Sequence, residues 1–291
     1  MLAPGPALQD KRGDPGESRI PAPSDPLRNP APFSPVETLN ADGDPSVLLI
    51  CDHASNVVPP GYGDLGIPAA DLNRHIGYDV GAAGVTRAMA EMLDCPAVLS
   101  GFTRLFIDPN RDEADPTLVM KLSDGSIVPG NRHVDAAETL RRLELCYRPY
   151  HAAVEAAIAR AQRPLLVSIH SFTPRLRGRP PRPWHVTALW EWDRATAVGF
   201  LEALRSDDPD LITAENEPYD GALEGDCLWR HTREARIPNV LIEIRNDLIA
   251  DAAGQREWAD RLARAARAFL ATKKAAPEGA AEVWEDTIKG D

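Results

Sequence analysis

The chain has 291 residues, 43% hydrophobic and 26% charged, a composition that suits one sizeable globular domain and excludes fibrous or wholly disordered classes. With 32 Lys plus Arg against 44 Asp plus Glu, the net charge is −12, which argues against a nucleic-acid partner because phosphates call for a basic face. No apolar stretch reaches the roughly 20 residues needed to cross a bilayer, so no membrane partner is expected.

Residues 1–45 hold ten of the 27 prolines and almost no periodic apolar pattern. Such a segment buries too little surface to offset its ordering entropy, so it reads as a disordered, dispensable leader. The opening residues also lack the continuous apolar segment of a secretory signal. Cys51, Cys95, Cys146 and Cys227 are scattered, with no CxxC pair, which points to buried thiols in the cytoplasm rather than a disulfide framework.

From Val47 the pattern changes. Val47 to Cys51 is an apolar run ending in Asp52 and His53, and it reads as a buried strand. A helix is predicted from Leu72 to Leu93, on which His75 and Asp79, four apart, share a face. Short strands follow at Ala97–Leu99 and Leu105–Ile107, the second leading to Asp108, Pro109, Asn110 and Arg111. Ser123–Arg132 reads as a surface loop, and Asp135–Gln162 as a long helix kinked or divided by Pro149.

Leu165 to Ile169 is the clearest strand, delivering His170, and Val186–Trp190 is another. Helices at Thr196–Leu204 and Gln255–Ala271 flank a last strand, Val240 to Ile244, which carries Glu243 and then Arg245. Beyond Lys273 an acidic tail is expected. Strands alternating with helices imply an α/β fold: a single domain over 46–272 with a mainly parallel, mixed central sheet flanked by helices.

Ligands in such sheets bind beyond the carboxyl ends of the strands, where His53, His170, Glu243 and Arg245 are delivered. Catalytic zinc commonly has three ligands drawn from His, Asp and Glu plus a water. His53 and His170 supply two, with His75 or Asp79 as a third; the competing reading is a hydrogen-bonded histidine at each strand end. Glu243 lies between Ile242 and Ile244, where a carboxylate is costly unless paired or functional, and it suits a general base. Arg104, Arg111 and Arg245 suit carboxylate recognition through their planar forks, although each is also an ordinary ion-pair member. His231 is the remaining histidine of interest because it shortly precedes the Glu243 strand. The absence of GxSxG, GxxxxGK[ST], GxGxxG and HExxH argues against an elbow hydrolase, a P-loop enzyme, a Rossmann dehydrogenase and an HExxH protease.

Taken together, CDHASNVVPPGYGDLGIP, RHIGYDVGAA, TRLFIDPNR, SDGSIVPGN, VSIHSFTP, NEPY and IEIRNDLIAD resemble the N-formylglutamate amidohydrolase family, from about Val47 to Leu270. The resemblance implies a branch of the zinc carboxypeptidase and aspartoacylase group: one zinc per chain and hydrolysis of a small N-acyl amino acid, N-formylglutamate giving formate and glutamate. It makes His53, Asp79 and His170 the metal ligands, Glu243 the residue that activates water, Arg104 the carbonyl-polarising group, and Asn110 with Arg111 the grip on the substrate carboxylate, Arg245 assisting. Asn56 stands where the wider group has a ligating glutamate, which is why Asp79 enters as third ligand. Arg175 or Arg177 is expected to meet a second substrate carboxylate, favouring acidic side chains. The rival functions are a metallocarboxypeptidase, an N-acetyl amino acid deacylase and a non-catalytic metal- or amino-acid-binding relative.

Overall fold

The computed structural model describes residues 32–221 and 224–275, so the acidic tail and most of the leader lie outside the described residues. The described residues form nine strands and seven α-helices. In chain order these are β1 (Val36–Leu39), β2 (Val47–Cys51), α1 (Ala69–Leu72), α2 (Ala82–Leu93), β3 (Ala97–Ser100), β4 (Leu122–Ser123), β5 (Ser126–Ile127), α3 (Ala136–Arg142), α4 (Arg148–Ala161), β6 (Leu165–Phe172), β7 (Val186–Leu189), α5 (Arg194–Asp207), β8 (Thr213–Glu215), α6 (Cys227–Thr232), β9 (Asn239–Arg245) and α7 (Ala252–Ala275). Seven strands make one mixed sheet in the order β1-β3-β2-β6-β9-β7-β8, and β4 and β5 form a separate hairpin. The pairs β3–β2, β2–β6, β6–β9 and β7–β8 are parallel, whereas β1–β3 and β9–β7 are antiparallel.

Both faces of the sheet are covered, and side-chain alternation decides which face carries chemistry. Leu165, Val167 and Ile169 of β6 and Val240, Ile242 and Ile244 of β9 join the core beneath α2, α5 and α7. Leu166 and Leu241 point the other way, into a second core with Tyr147, Tyr150 and Phe106. His170 and Glu243 share that second face and lie directly opposite each other in the β6–β9 register. Both therefore sit inside paired strands, two residues before each strand ends, rather than beyond the sheet edge.

Several elements depart from the sequence reading for identifiable reasons. Val36–Leu39, expected within the disordered leader, forms β1 on the edge of β3, with Phe33 and Val36 packed against one core and Leu39 against the other. Of the helix expected over Leu72–Leu93 only α2 forms: α1 ends at Leu72, turns occupy 73–81, and α2 begins after Gly81, whose φ is +85° and whose Cβ would stand 2.2 Å from the Ile249 carbonyl oxygen. Only glycine meets both demands, so the chain turns there. Leu105–Ile107 is not a strand although all three residues are buried. Side chains replace the ladder: Asn131 Nδ2 donates to the Leu105 carbonyl and Arg142 Nη1 to that of Phe106. The helix starting at Asp135, whose carboxylate caps Glu138 N–H at 2.8 Å, widens into a π turn at Leu143–Tyr147 just before Pro149. That turn relieves the backbone where proline cannot donate.

A chain beginning at Pro45 loses β1, and at about 2 kcal/mol for the apolar burial removed, its melting temperature should fall by roughly 4–8 °C relative to one beginning at Pro32. Calorimetry of the two truncations checks this; equal melting temperatures would make β1 energetically idle.

Candidate metal centre and substrate cavity

Asp79 leaves the turn between α1 and α2 and enters the space between the two histidines. Its Oδ2 lies 3.3 Å from His53 Nδ1 and 2.8 Å from His170 Nδ1, and also accepts the Ser171 backbone N–H at 3.3 Å. The three side chains are almost wholly buried, and the two imidazoles meet edge to face at 5.0 Å. His75 lines the same cavity but stands outside the triad: its Nε2, which makes no hydrogen bond among the described residues, lies 3.4 Å from Asp124, the carboxylate that Arg74 also binds. The broken helix thus separates two residues that an unbroken one would have placed on one face. Asn56 donates to Asn73 at 2.7 Å and has no part in the triad.

Each histidine is held from behind by a buried carboxylate. His53 Nε2 is 2.7 Å from Asp108 and His170 Nε2 is 2.8 Å from Asp52. Asp52 also accepts from Tyr150 and Ser168, and Arg104 grips Asp108 through Nε and Nη2 at 3.1 and 2.7 Å. Burial alone would raise the carboxyl pKa of Asp52, Asp79 and Asp108. The neighbouring imidazoles, with Arg104 leading at Asp108, overcome that and hold all three well below the ordinary range.

Ionised Asp52 and Asp108 can only accept, which fixes the proton of each imidazole on Nε2 and turns both Nδ1 lone pairs toward Asp79. In that neutral form the two Nδ1 lone pairs and Asp79 Oδ2 converge as acceptors, with the Ser171 backbone N–H on Asp79 as the donor beside them. A divalent cation resolves that arrangement, and two nitrogens plus one carboxylate oxygen form a donor set that zinc commonly takes. His170 shows the same demand in another form: burial depresses its pKa, but hydrogen bonds to Asp52 and Asp79 raise it well above the ordinary value. A second group, His151, Cys227 and His231, also brings ligand atoms within 4.8 Å of one another. Its nitrogens already have partners, since one His151 nitrogen meets the Pro109 carbonyl at 3.0 Å and the other meets His231 at 2.8 Å. Burial pushes His151 down to about 3, with His231 and Arg230 adding to it, and pushes His231 down to about 4, opposed by Asp52 and aided by Arg230.

The triad opens into a cavity of about 600 Å³. Glu243 lines it, and its Oε2 is buried without a hydrogen-bond partner among the described residues. Burial, opposed by His170 and reinforced by Asp79, raises its carboxyl to about 7. Asn110 and Arg111 line the same cavity. Asn110 Oδ1 accepts the Cys227 N–H at 3.0 Å, and Arg111 Nη1 donates to the Asn110 backbone carbonyl.

Arg104, expected to polarise a carbonyl, also lines the cavity, although its guanidinium is bound to Asp108 and lies 3.6 Å from Asp79. Arg245, expected at the substrate, is not brought to the cavity; it binds Asp247 at 2.8 Å and faces the Pro183 and Trp184 carbonyls. Arg175 and Arg177 line a neighbouring groove instead. Asp52 and Asp108, supports that the sequence reading does not single out, each follow directly on an apolar run, in VLLICD and LFID, and both are fully buried. Asp226, which caps α6 and lines the cavity, had no such signal.

A family model described as N-formylglutamate amidohydrolase matches residues 45–250. A solved gene product of Agrobacterium tumefaciens is 33% identical, with a TM-score of 0.77, over 82% of this chain and 96% of its own. A solved N-formylglutamate amidohydrolase from Ralstonia eutropha JMP134 is 21% identical, with a TM-score of 0.63, over 83% of this chain and 99% of its own, a likeness of fold. No curated protein matches. Among the described residues, no helix is long and apolar enough to cross a membrane.

Proposed function

Because the chain belongs to the N-formylglutamate amidohydrolase family and is a hydrolase acting on amides, we propose that it is a zinc-dependent N-acyl amino acid amidohydrolase releasing formate from an N-formyl amino acid, N-formylglutamate being the substrate for which the family is named. The observation that carries this reading is the convergence of His53 Nδ1, His170 Nδ1 and Asp79 Oδ2 with both outer nitrogens anchored on carboxylates. His53, Asp79 and His170 would hold one zinc ion, which when bound supplies a Lewis acid and a water of lowered pKa.

The remaining roles fall to the chain. Glu243 takes the proton of the attacking water and returns it to the departing nitrogen, a transfer suited to a carboxyl poised near neutral pH. Arg111 and the Asn110 amide hold the α-carboxylate, which fixes the scissile amide over the triad. Arg104 keeps Asp108 ionised and in place, and so positions His53 rather than contacting the carbonyl. The buried, unbridged cysteines fit a cytoplasmic enzyme.

The test is to incubate the purified protein with N-formyl amino acids and quantify formate and free amino acid together. We expect equal release of both, abolished by a chelator and restored by zinc. Absence of hydrolysis, or activity indifferent to metal removal, would reject the reading; acetate release from N-acetyl substrates at higher efficiency would move the enzyme to the deacylases.

A further inference from the structure

Resting on that reading, we infer that the cavity selects N-acyl amino acids carrying one carboxylate and a large apolar or aromatic side chain, and discriminates against acidic ones. The first observation is the cations. Arg104 and Arg111 are the arginines that line the cavity, and no lysine does so among the described residues. Arg104 is already bound to Asp108 and Asp79, whereas among the described residues the Arg111 side chain donates only to the Asn110 carbonyl. One guanidinium with the Asn110 amide satisfies one carboxylate, and the substrate's α-carboxylate takes that place.

A second carboxylate would meet the wrong field. Asp226 and Glu243 line the walls in addition to the triad's Asp79, and the two further carboxylates of the lining, Asp124 and Glu191, already hold Arg74 and Arg233. The basic residues of the Arg-rich loop after β6 do not compensate. Arg175 and Arg177 line the adjoining groove, which shares His75, Asp124, Thr173 and Leu176 with the cavity, and neither lines the cavity itself; Arg182 lies over the Phe172 and Tyr219 rings with its Nη1 on the Thr173 carbonyl and the Tyr219 hydroxyl. An ionised γ-carboxylate entering this space would lose its hydration and gain no cation.

The second, independent observation is the wall itself. Trp190, Trp192, Trp229, Tyr219, Leu189 and Leu228 line the cavity, and its volume lies in the range of sites that enclose drug-sized ligands, more than a formyl group and a glutamyl chain require. The indoles are held from outside: Arg194, Arg236 and Arg233 lie 5.8, 4.9 and 5.8 Å from the rings of Trp190, Trp192 and Trp229. Such a preorganised aromatic wall gains by covering apolar surface.

The experiment compares kcat/KM of the zinc-loaded enzyme for N-formyltryptophan, N-formylleucine, N-formylglycine and N-formylglutamate. Burial of a large apolar side chain is worth about 10–100-fold, so the tryptophan and leucine substrates should exceed N-formylglutamate by at least that factor. Trp192→Ala should lower kcat/KM for N-formyltryptophan about tenfold more than for N-formylglycine. N-formylglutamate cleaved best, with N-formylglycine also cleaved, would overturn this inference and leave the hydrolase reading standing. No cleavage of any of the four would overturn both.

Discussion

Glu243→Gln is expected to lower kcat by about 10²–10⁴-fold while leaving the fold and the bound metal intact, the range a positioned general base contributes. Glutamine preserves the shape and one acceptor, and removes only the basicity. The side chain faces His170 across β6 and β9 and lines the cavity, and its Oε2 has no partner among the described residues. A structural ion pair with Arg245 is not the alternative, since that guanidinium is turned to Asp247. Circular dichroism and metal analysis of the variant accompany the kinetics. Near-normal kcat would exclude Glu243 as the base, and loss of folding would make it a structural residue.

Asp79→Ala should lower activity by at least roughly 10³-fold, the scale of several kcal/mol of lost charge stabilisation, and His75→Ala should lower it far less. Asp79 Oδ2 is the atom to which both histidines turn, whereas His75 is engaged with Asp124 at 3.4 Å. Steady-state kinetics of the two variants at saturating zinc decide the matter; the reverse order would exchange their roles.

The sequence exposes those parts of the site that sit at the ends of apolar runs. The runs at Val47–Cys51, Leu165–Ile169 and Val240–Ile244 become β2, β6 and β9, adjacent and parallel, so His53 just after β2 and His170 and Glu243 near the carboxyl ends of β6 and β9 come together, the last two within the strands and not beyond them. Asp79 was less legible because its position depends on the break at Gly81, which arises from the nearby Ile249 backbone and not from local propensity. The edge strand β1 escaped notice because four residues in a proline-rich context carry little periodic signal, and its partner β3 lies about sixty residues away. The aromatic wall was hidden for a similar reason: Trp190 and Trp192 follow β7 while Trp229 lies in α6, and only the fold joins them. Arg175 and Arg177, expected at a second substrate carboxylate, line the adjoining groove instead, since sequence reports that a loop is basic but not which cavity it lines.

The measurement closest to the centre of this account is zinc per chain, determined by elemental analysis of the purified protein beside His53→Ala and His170→Ala. About one zinc is expected in the parent protein and almost none in either variant, because each histidine supplies one of three ligands. Equal zinc in all three proteins would contradict it, and would move the metal from the β2–β6 edge to His151, Cys227 and His231.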